Sequence, residues 1–219
     1  MRHKQTILLT GFEPFGGEAI NPSWEAVRAL EGKTMSDGSV VAVAQLPCVF
    51  GQSLEVLAQH IRKHKPHIVV CVGQAGGRAE MSIERVAINV DDARIPDNAG
   101  AQPIDVAIRA DGAAAYFSTL PIKAIVAALQ ANGIPAAVSQ TAGTFVCNHV
   151  FYGLMQLAGQ TPKIKRAGFV HIPFLPQQAL RHPNAPSMSL EVMVAGLLQI
   201  IESTLTVKTD LVAAGGSTH

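Results

Sequence analysis

The sequence predicts an α/β layered domain with a mostly parallel sheet, and three observations lead there. Short apolar runs alternate with segments whose apolar residues recur at helical spacing, the order expected of strands separated by helices. One run, His67 to Gly73, is apolar at both parities, as a central strand covered on both faces must be. The chain has 219 residues, 48% of them hydrophobic and 15% charged, which suffices for a sizeable single core.

Taken in order, Thr6 to Thr10 is a buried strand ending at Gly11. Asn21-Pro22 opens a helix, with Asn as the cap and Pro at the first helical position. Val40 to Leu46 is the next strand. Leu54, Leu57, Ala58 and Ile61 form one apolar helix face, and Pro66 ends that helix. The central strand follows, and Met81 to Val90 is read as a strand in which Glu84 shares a face with Val86, Ile88 and Val90. Asp91 to Gly112 has no periodicity, the mark of a functional loop. Ile122, Ile125, Val126 and Leu129 give another helix, closed by Asn132-Gly133. Then come a strand at Ile134 to Ser139, a helix at Asn148 to Ala158, a strand at Ala167 to Ile172 and a helix from Leu190 to Ile201. The expectation is one domain over 1–219, with a flexible tail from about residue 209.

Composition narrows the function. A formal net charge of +1 argues against a nucleic-acid partner, whose phosphates demand Lys and Arg. No apolar run approaches the roughly 18 residues of a membrane span, so no membrane partner is expected. The apolar stretch near the N-terminus is too short for a signal peptide. Cys48, Cys71 and Cys147 are too few and too scattered for a disulfide framework or a paired-cysteine metal site, which points to a reducing, cytoplasmic setting. No metal motif is present, and no cofactor is expected.

Three residues at strand ends or helix starts carry candidate chemistry. Cys147 sits where a strand–loop passes into a helix. Unpaired N–H groups there favour a thiolate and would stabilise an oxyanion; the bland alternative is a small buried apolar side chain. His171, at the end of a strand before Pro173, is the best general base by elimination, set against a satisfied structural histidine. His149 is disfavoured because residues i and i+2 of a helix do not face each other. Glu84, a carboxylate on an apolar face, demands a partner. That partner is either a histidine it orients or an arginine. Gly11 to Gly17 lacks a phosphate-binding pattern, so Phe12 and Phe15 are either an apolar clamp for a small flat ligand or core plugs. The glycines of Gly73 to Arg78 allow close backbone approach to a ligand. Cys71 is a core residue, and Cys48 borders a strand end. An enzyme with a thiol nucleophile and a small-molecule binding protein both remain compatible with these residues, while the lack of a clear phosphate loop counts against a phosphorylase-like enzyme.

The segments LLTGFEPFGG (8–17), NPSWEAV (21–27), VGQAGGR (72–78), ERVAINVDDARIPDN (84–98), TAGTFVCNHVFYGLM (141–155) and HIPFLPQQ (171–178) occur in the order found in one family. Over about residues 6 to 205 the chain resembles the pyroglutamyl-peptidase I family, also called pyrrolidone-carboxylate peptidases. The resemblance implies a three-layer α/β/α sandwich and a cysteine peptidase that removes N-terminal pyroglutamate from peptides. It implies Cys147, His171 and Glu84 as a catalytic triad. It places Phe12, Phe15, Ile95, Phe145 and Val146 around the lactam, Gln74 as a backbone contact to it, and Arg94 beside the catalytic group. It also implies a homotetramer. Cys48, where many relatives carry Thr, is the one departure, and it adds a second thiol near the site.

Overall fold

The computed structural model describes residues 5–216. The elements run β1 (Thr6–Phe12), α1 (Pro22–Arg28), β2 (Val40–Leu46), α2 (Gln52–His64), β3 (Ile68–Gln74), β4 (Met81–Glu84), β5 (Val86–Ile88), β6 (Ala115–Phe117), α3 (Ile122–Ala131), β7 (Ala136–Ser139), α4 (Val146–Gln160), β8 (Arg166–Ile172), α5 (Pro176–Ala179) and α6 (Leu190–Thr206). The helix signals behave as their chemistry requires. Asn21 Oδ1 accepts the Ser23 N–H at 3.0 Å, with Pro22 at the first helical position. Helix α2 ends on Lys65 in the left-handed region, at φ 46°, just before Pro66.

Six strands form one mixed sheet in the order β2-β1-β3-β8-β4-β7. All its neighbours pair in parallel except β4 and β8, which run antiparallel. The α/β expectation therefore holds, with β3 in the middle and almost wholly buried. The period-2 alternation of strand side chains separates two cores. Ile7 and Leu9, Ile68, Val70 and Val72, Met81 and Ile83, and Val170 and Ile172 face α1, α3 and α6. Leu8 and Phe12, Val69 and Cys71, and Ala167 and Phe169 face α2 and α4. Each fully buried Leu, Ile, Val or Phe contributes about 1.5–3 kcal/mol of hydrophobic stabilisation, and both sheet faces are paved with them. The same parity fixes the site: Gly73, Glu84 and His171 all fall on the α4 side.

One expectation is corrected. Residues 81–90 do not form one strand. Strand β4 stops at Glu84, and β5 pairs antiparallel with β6 in a separate two-stranded sheet. The cause is the Asn148 side chain on α4. Its Oδ1 accepts the Ile88 N–H at 3.0 Å, and its Nδ2 donates to the carbonyls of Ile88 and Val90. These bonds replace a ladder partner and carry the chain off the main sheet, so Val86 and Ile88 do not continue the face of Glu84.

Beyond α6 the chain runs back over the sheet edge. Helix α3 has no cap of its own, and Asp210 supplies one: its carboxylate accepts the N–H groups of Lys123 at 3.2 Å and Ala124 at 2.9 Å. The Gly215 carbonyl accepts from Arg85 and Gln140. Residues 217–219 of the expected tail lie outside the described residues. Asp210→Ala should cost about 1 kcal/mol of stability, the usual worth of a lost helix cap. Thermal denaturation checks this, and an unchanged midpoint would show that the cap contributes nothing.

Candidate active site

The site is assembled at the carboxyl ends of β3 and β8, under the N-terminus of α4. Glu84 comes first because it is fully buried and must be satisfied. Its Oε1 accepts from two sides: His171 Nδ1 at 2.7 Å and the Arg78 guanidinium at 2.7 Å. The two alternatives read from sequence are thus both realised on one oxygen. Oε2 has no partner. Arg78 continues outward, donating to Ser139 Oγ at 3.3 Å and to the Thr141 carbonyl at 3.0 Å, so it ties the carboxylate to the loop that leads into α4. Sequence reading passed over Arg78 as part of a glycine-rich turn. The signal available was its charge, alone among the residues of that turn.

His171 is buried and faces the carboxylate with Nδ1. A carboxylate accepts, so Nδ1 carries a proton, and in the neutral ring Nε2 then keeps its lone pair. Among the described residues, nothing hydrogen-bonds to Nε2. The ring packs against Phe169 at a centroid distance of 4.9 Å, which fixes its plane.

Cys147 is the second residue of α4, and no side chain caps that helix. Asn148, which might have capped it, is committed to β5. The first-turn N–H groups are therefore available to an oxyanion. Gly73 brings the sulfur down onto the sheet. A Cβ on Gly73 would lie 2.8 Å from Cys147 Sγ and 2.9 Å from the Phe169 ring. Gly73 is also the register partner of His171 on the neighbouring strand. The thiol thus sits over the sheet at Gly73, and the histidine belongs to the adjacent strand, adjacent strands being about 4.8 Å apart.

The electrostatics differ from the thiolate expected at a helix start. Burial pushes the Cys147 thiol well above its ordinary value, with smaller contributions from Cys48, Glu84 and Cys71; Arg78 acts in the opposite direction. Desolvation is the largest of these effects and favours the neutral thiol. Cys71 and Cys48 are likewise pushed up to about 12 by burial, and for Cys48 the carboxylates of Glu13 and Asp97 add to it.

The residues expected around the ligand fall into three groups. Phe15 and Phe145 are half-buried and meet at 6.0 Å, and Phe50, not foreseen from sequence, stands edge-on to Phe145 at 5.4 Å. Phe12 and Val146 are buried beneath them, Phe12 against Phe169 at 6.3 Å, so its side chain serves the core. Arg94 and Ile95 stand exposed on the 91–112 segment. Reciprocal bonds between Asp92 and Thr144 stitch that segment to the loop before Phe145. Gln74 follows Gly73, and its Oε1 accepts from the buried Gln178 at 3.0 Å. Cys48 lies below the rim. Its N–H donates to Glu13 Oε1, which also accepts from Asn98, so three loops meet there.

Among the described residues, no three His, Cys, Asp or Glu side chains are grouped to hold a metal ion, and no helix is long and apolar enough to cross a membrane.

Comparison with known proteins gives a consistent result. The sequence model of the pyroglutamyl peptidase family matches residues 5–207. A pyrrolidone-carboxylate peptidase of Cupriavidus pinatubonensis is 64% identical over 98% of this chain and 100% of its own length. One from Bacillus cytotoxicus is 59% identical over 98% and 100%. The crystal structure of pyroglutamyl peptidase I from Bacillus amyloliquefaciens superposes with a TM-score of 0.92 at 50% identity, covering 96% of this chain and all of that one.

Because the free thiol is protonated, alkylation of Cys147 by iodoacetamide should keep accelerating past about pH 8.5, the ordinary thiol value. Mass spectrometry after timed labelling checks this. A rate that levels off below neutrality would reveal a preformed thiolate and contradict the burial argument.

Proposed function

The chain belongs to the pyroglutamyl peptidase family, and from that premise we propose that it removes N-terminal pyroglutamate from peptides through a Cys147-His171-Glu84 triad and a thioester intermediate. The observation that carries the triad is the Glu84–His171 hydrogen bond of 2.7 Å, which leaves Nε2 free on the face where Gly73 admits the Cys147 sulfur.

His171 Nε2 takes the Cys147 proton as the sulfur attacks the carbonyl carbon of the pyroglutamyl residue. The oxyanion forms against first-turn N–H groups of α4, including that of Cys147 itself. Glu84 holds the imidazole in the required tautomer and stabilises its cation. The imidazolium then protonates the leaving amine as the C–N bond breaks, giving the thioester and a shortened peptide. Water, deprotonated by His171, attacks the thioester. Free pyroglutamate leaves and the thiol regains its proton. A thiol held above its ordinary value suits this sequence: the proton moves only when substrate is in place.

The lactam is flat and uncharged. Phe15, Phe145 and neighbouring apolar residues offer it an apolar seat, with Gln74 as a backbone contact. Such a seat disfavours an ordinary N-terminus, whose ammonium costs several kcal/mol to desolvate. Arg94, exposed and without an ion-pair partner among the described residues, is free to meet the substrate beyond the lactam. We further propose a cytoplasmic homotetramer; exposed Ile104, Val106 and Phe117 supply apolar surface for such an assembly.

The test is release of the aromatic amine from a pyroglutamyl anilide. Wild-type protein should release it, and Cys147→Ser should lose at least about a thousandfold in kcat. Glu84→Gln should lower kcat by about a hundredfold or more while circular dichroism stays native. A Cys147→Ser protein of full activity would eliminate the nucleophile, and a fully active Glu84→Gln would remove Glu84 from the triad.

A further inference from the structure

A second histidine–carboxylate pair lies two residues beyond Cys147, and the mechanism does not use it. His149 Nδ1 meets Asp91 Oδ2 at 2.8 Å, and both side chains are almost fully buried. On the other side of the ring, Nε2 lies 3.0 Å from the Gly51 N–H. A backbone N–H can only donate, so Nε2 accepts and the ring proton is on Nδ1. Both nitrogens are consumed. His171 differs in this respect, since its Nε2 is left without a partner. His149 is therefore no general base, and its two bonds hold the ring in one orientation.

What that ring supports is Phe50. The two rings meet edge to face at 5.4 Å and 90°, and Phe50 in turn stands edge-on to Phe145 at 5.4 Å and 88°. The backbone around Phe50 is fixed by the same group of residues. Its own N–H donates to Asp97 Oδ2 at 2.9 Å, and the next N–H, that of Gly51, goes to His149. Gly51 occupies a left-handed conformation, at φ 72°, at the start of α2, where no side-chain cap holds the turn. The 91–97 segment thus grips the 50–51 turn through Asp91–His149 and through Asp97, and places one more aromatic ring against the pocket residue Phe145.

We propose that His149, fixed by Asp91, is a positioning residue that holds Phe50 as a wall of the lactam pocket and so sets affinity for the pyroglutamyl group. The inference rests on the pyroglutamyl peptidase reading above. A flat neutral ring binds through contact with apolar surface. A wall already held in place spares the binding step the cost of ordering it. The wall acts on binding and leaves proton transfer at His171 alone, so its loss should appear in KM and not in kcat.

Steady-state kinetics on a pyroglutamyl anilide test this with Phe50→Leu, His149→Gln and the double variant, each checked by thermal denaturation. Phe50→Leu preserves both hydrogen bonds of His149, so it carries the test even where His149→Gln fails to fold. Each single substitution should raise KM about tenfold, the scale of an altered apolar contact, with kcat within about twofold of wild type. The double variant should be no worse than the more severe single, because both act on one wall. An unmoved KM for Phe50→Leu, a fall in kcat at constant KM, or KM effects that multiply in the double variant would each overturn the proposal. Wild-type protein is the control: if it does not hydrolyse the reporter, the peptidase reading itself fails, whereas normal wild-type turnover beside unmoved variants sinks this inference alone.

Discussion

The site depends on an approach that only a residue without a side chain permits. Gly73 is the penultimate residue of the central strand β3, and any Cβ there would stand 2.8 Å from Cys147 Sγ and 2.9 Å from the buried Phe169 ring. Because that space is empty, the first turn of α4 can lower its sulfur onto the sheet. The strand partner of Gly73 is His171, so the same contact sets the Cys147 sulfur over the strand next to the one that carries the imidazole. Phe169 fills the remaining space and packs on the imidazole, linking the close approach to the orientation of the histidine.

Charge is organised around that contact with little redundancy. One buried oxygen of Glu84 receives both the imidazole and the guanidinium of Arg78. Arg78 compensates a carboxylate that burial would otherwise penalise, and its other bonds anchor the loop preceding Cys147. Burial of Cys147 holds its thiol well above the ordinary value, which favours the neutral form; in the proposed mechanism its proton passes to His171. His149, two residues away on α4, shows the contrasting outcome: the same side chain beside a carboxylate, with its second nitrogen closed by a backbone N–H, is a strut.

Most of the architecture was legible in the sequence because it follows from periodicity. The central strand, the Asn21-Pro22 helix start and the stop before Pro66 are local signals with local causes, and they held. What periodicity could not show was set by distant partners. The break after Glu84 is imposed by Asn148, sixty positions from Ile88. Arg78 and Asp91 are unremarkable charges in sequence, and they gain meaning only when folding sets them against Glu84 and His149. Phe50 is a single aromatic in a connector. The acidity of the Cys147 thiol stays open in the sequence, because a helix start can be read there while the packing around one sulfur cannot.

Gly73→Ala tests the close approach directly, since it adds one methyl group and replaces none of the proposed catalytic side chains. Kinetics on a pyroglutamyl anilide, together with a thermal midpoint, would settle it. The methyl group must displace the Cys147 sulfur or the Phe169 ring, and misplacement of a reacting atom by about 1 Å costs on the order of a hundredfold in rate. The expected result is a folded protein whose kcat falls by at least that factor. A Gly73→Ala protein with wild-type kcat would contradict the account, because it would show that the sulfur reaches the substrate without the space that the glycine provides.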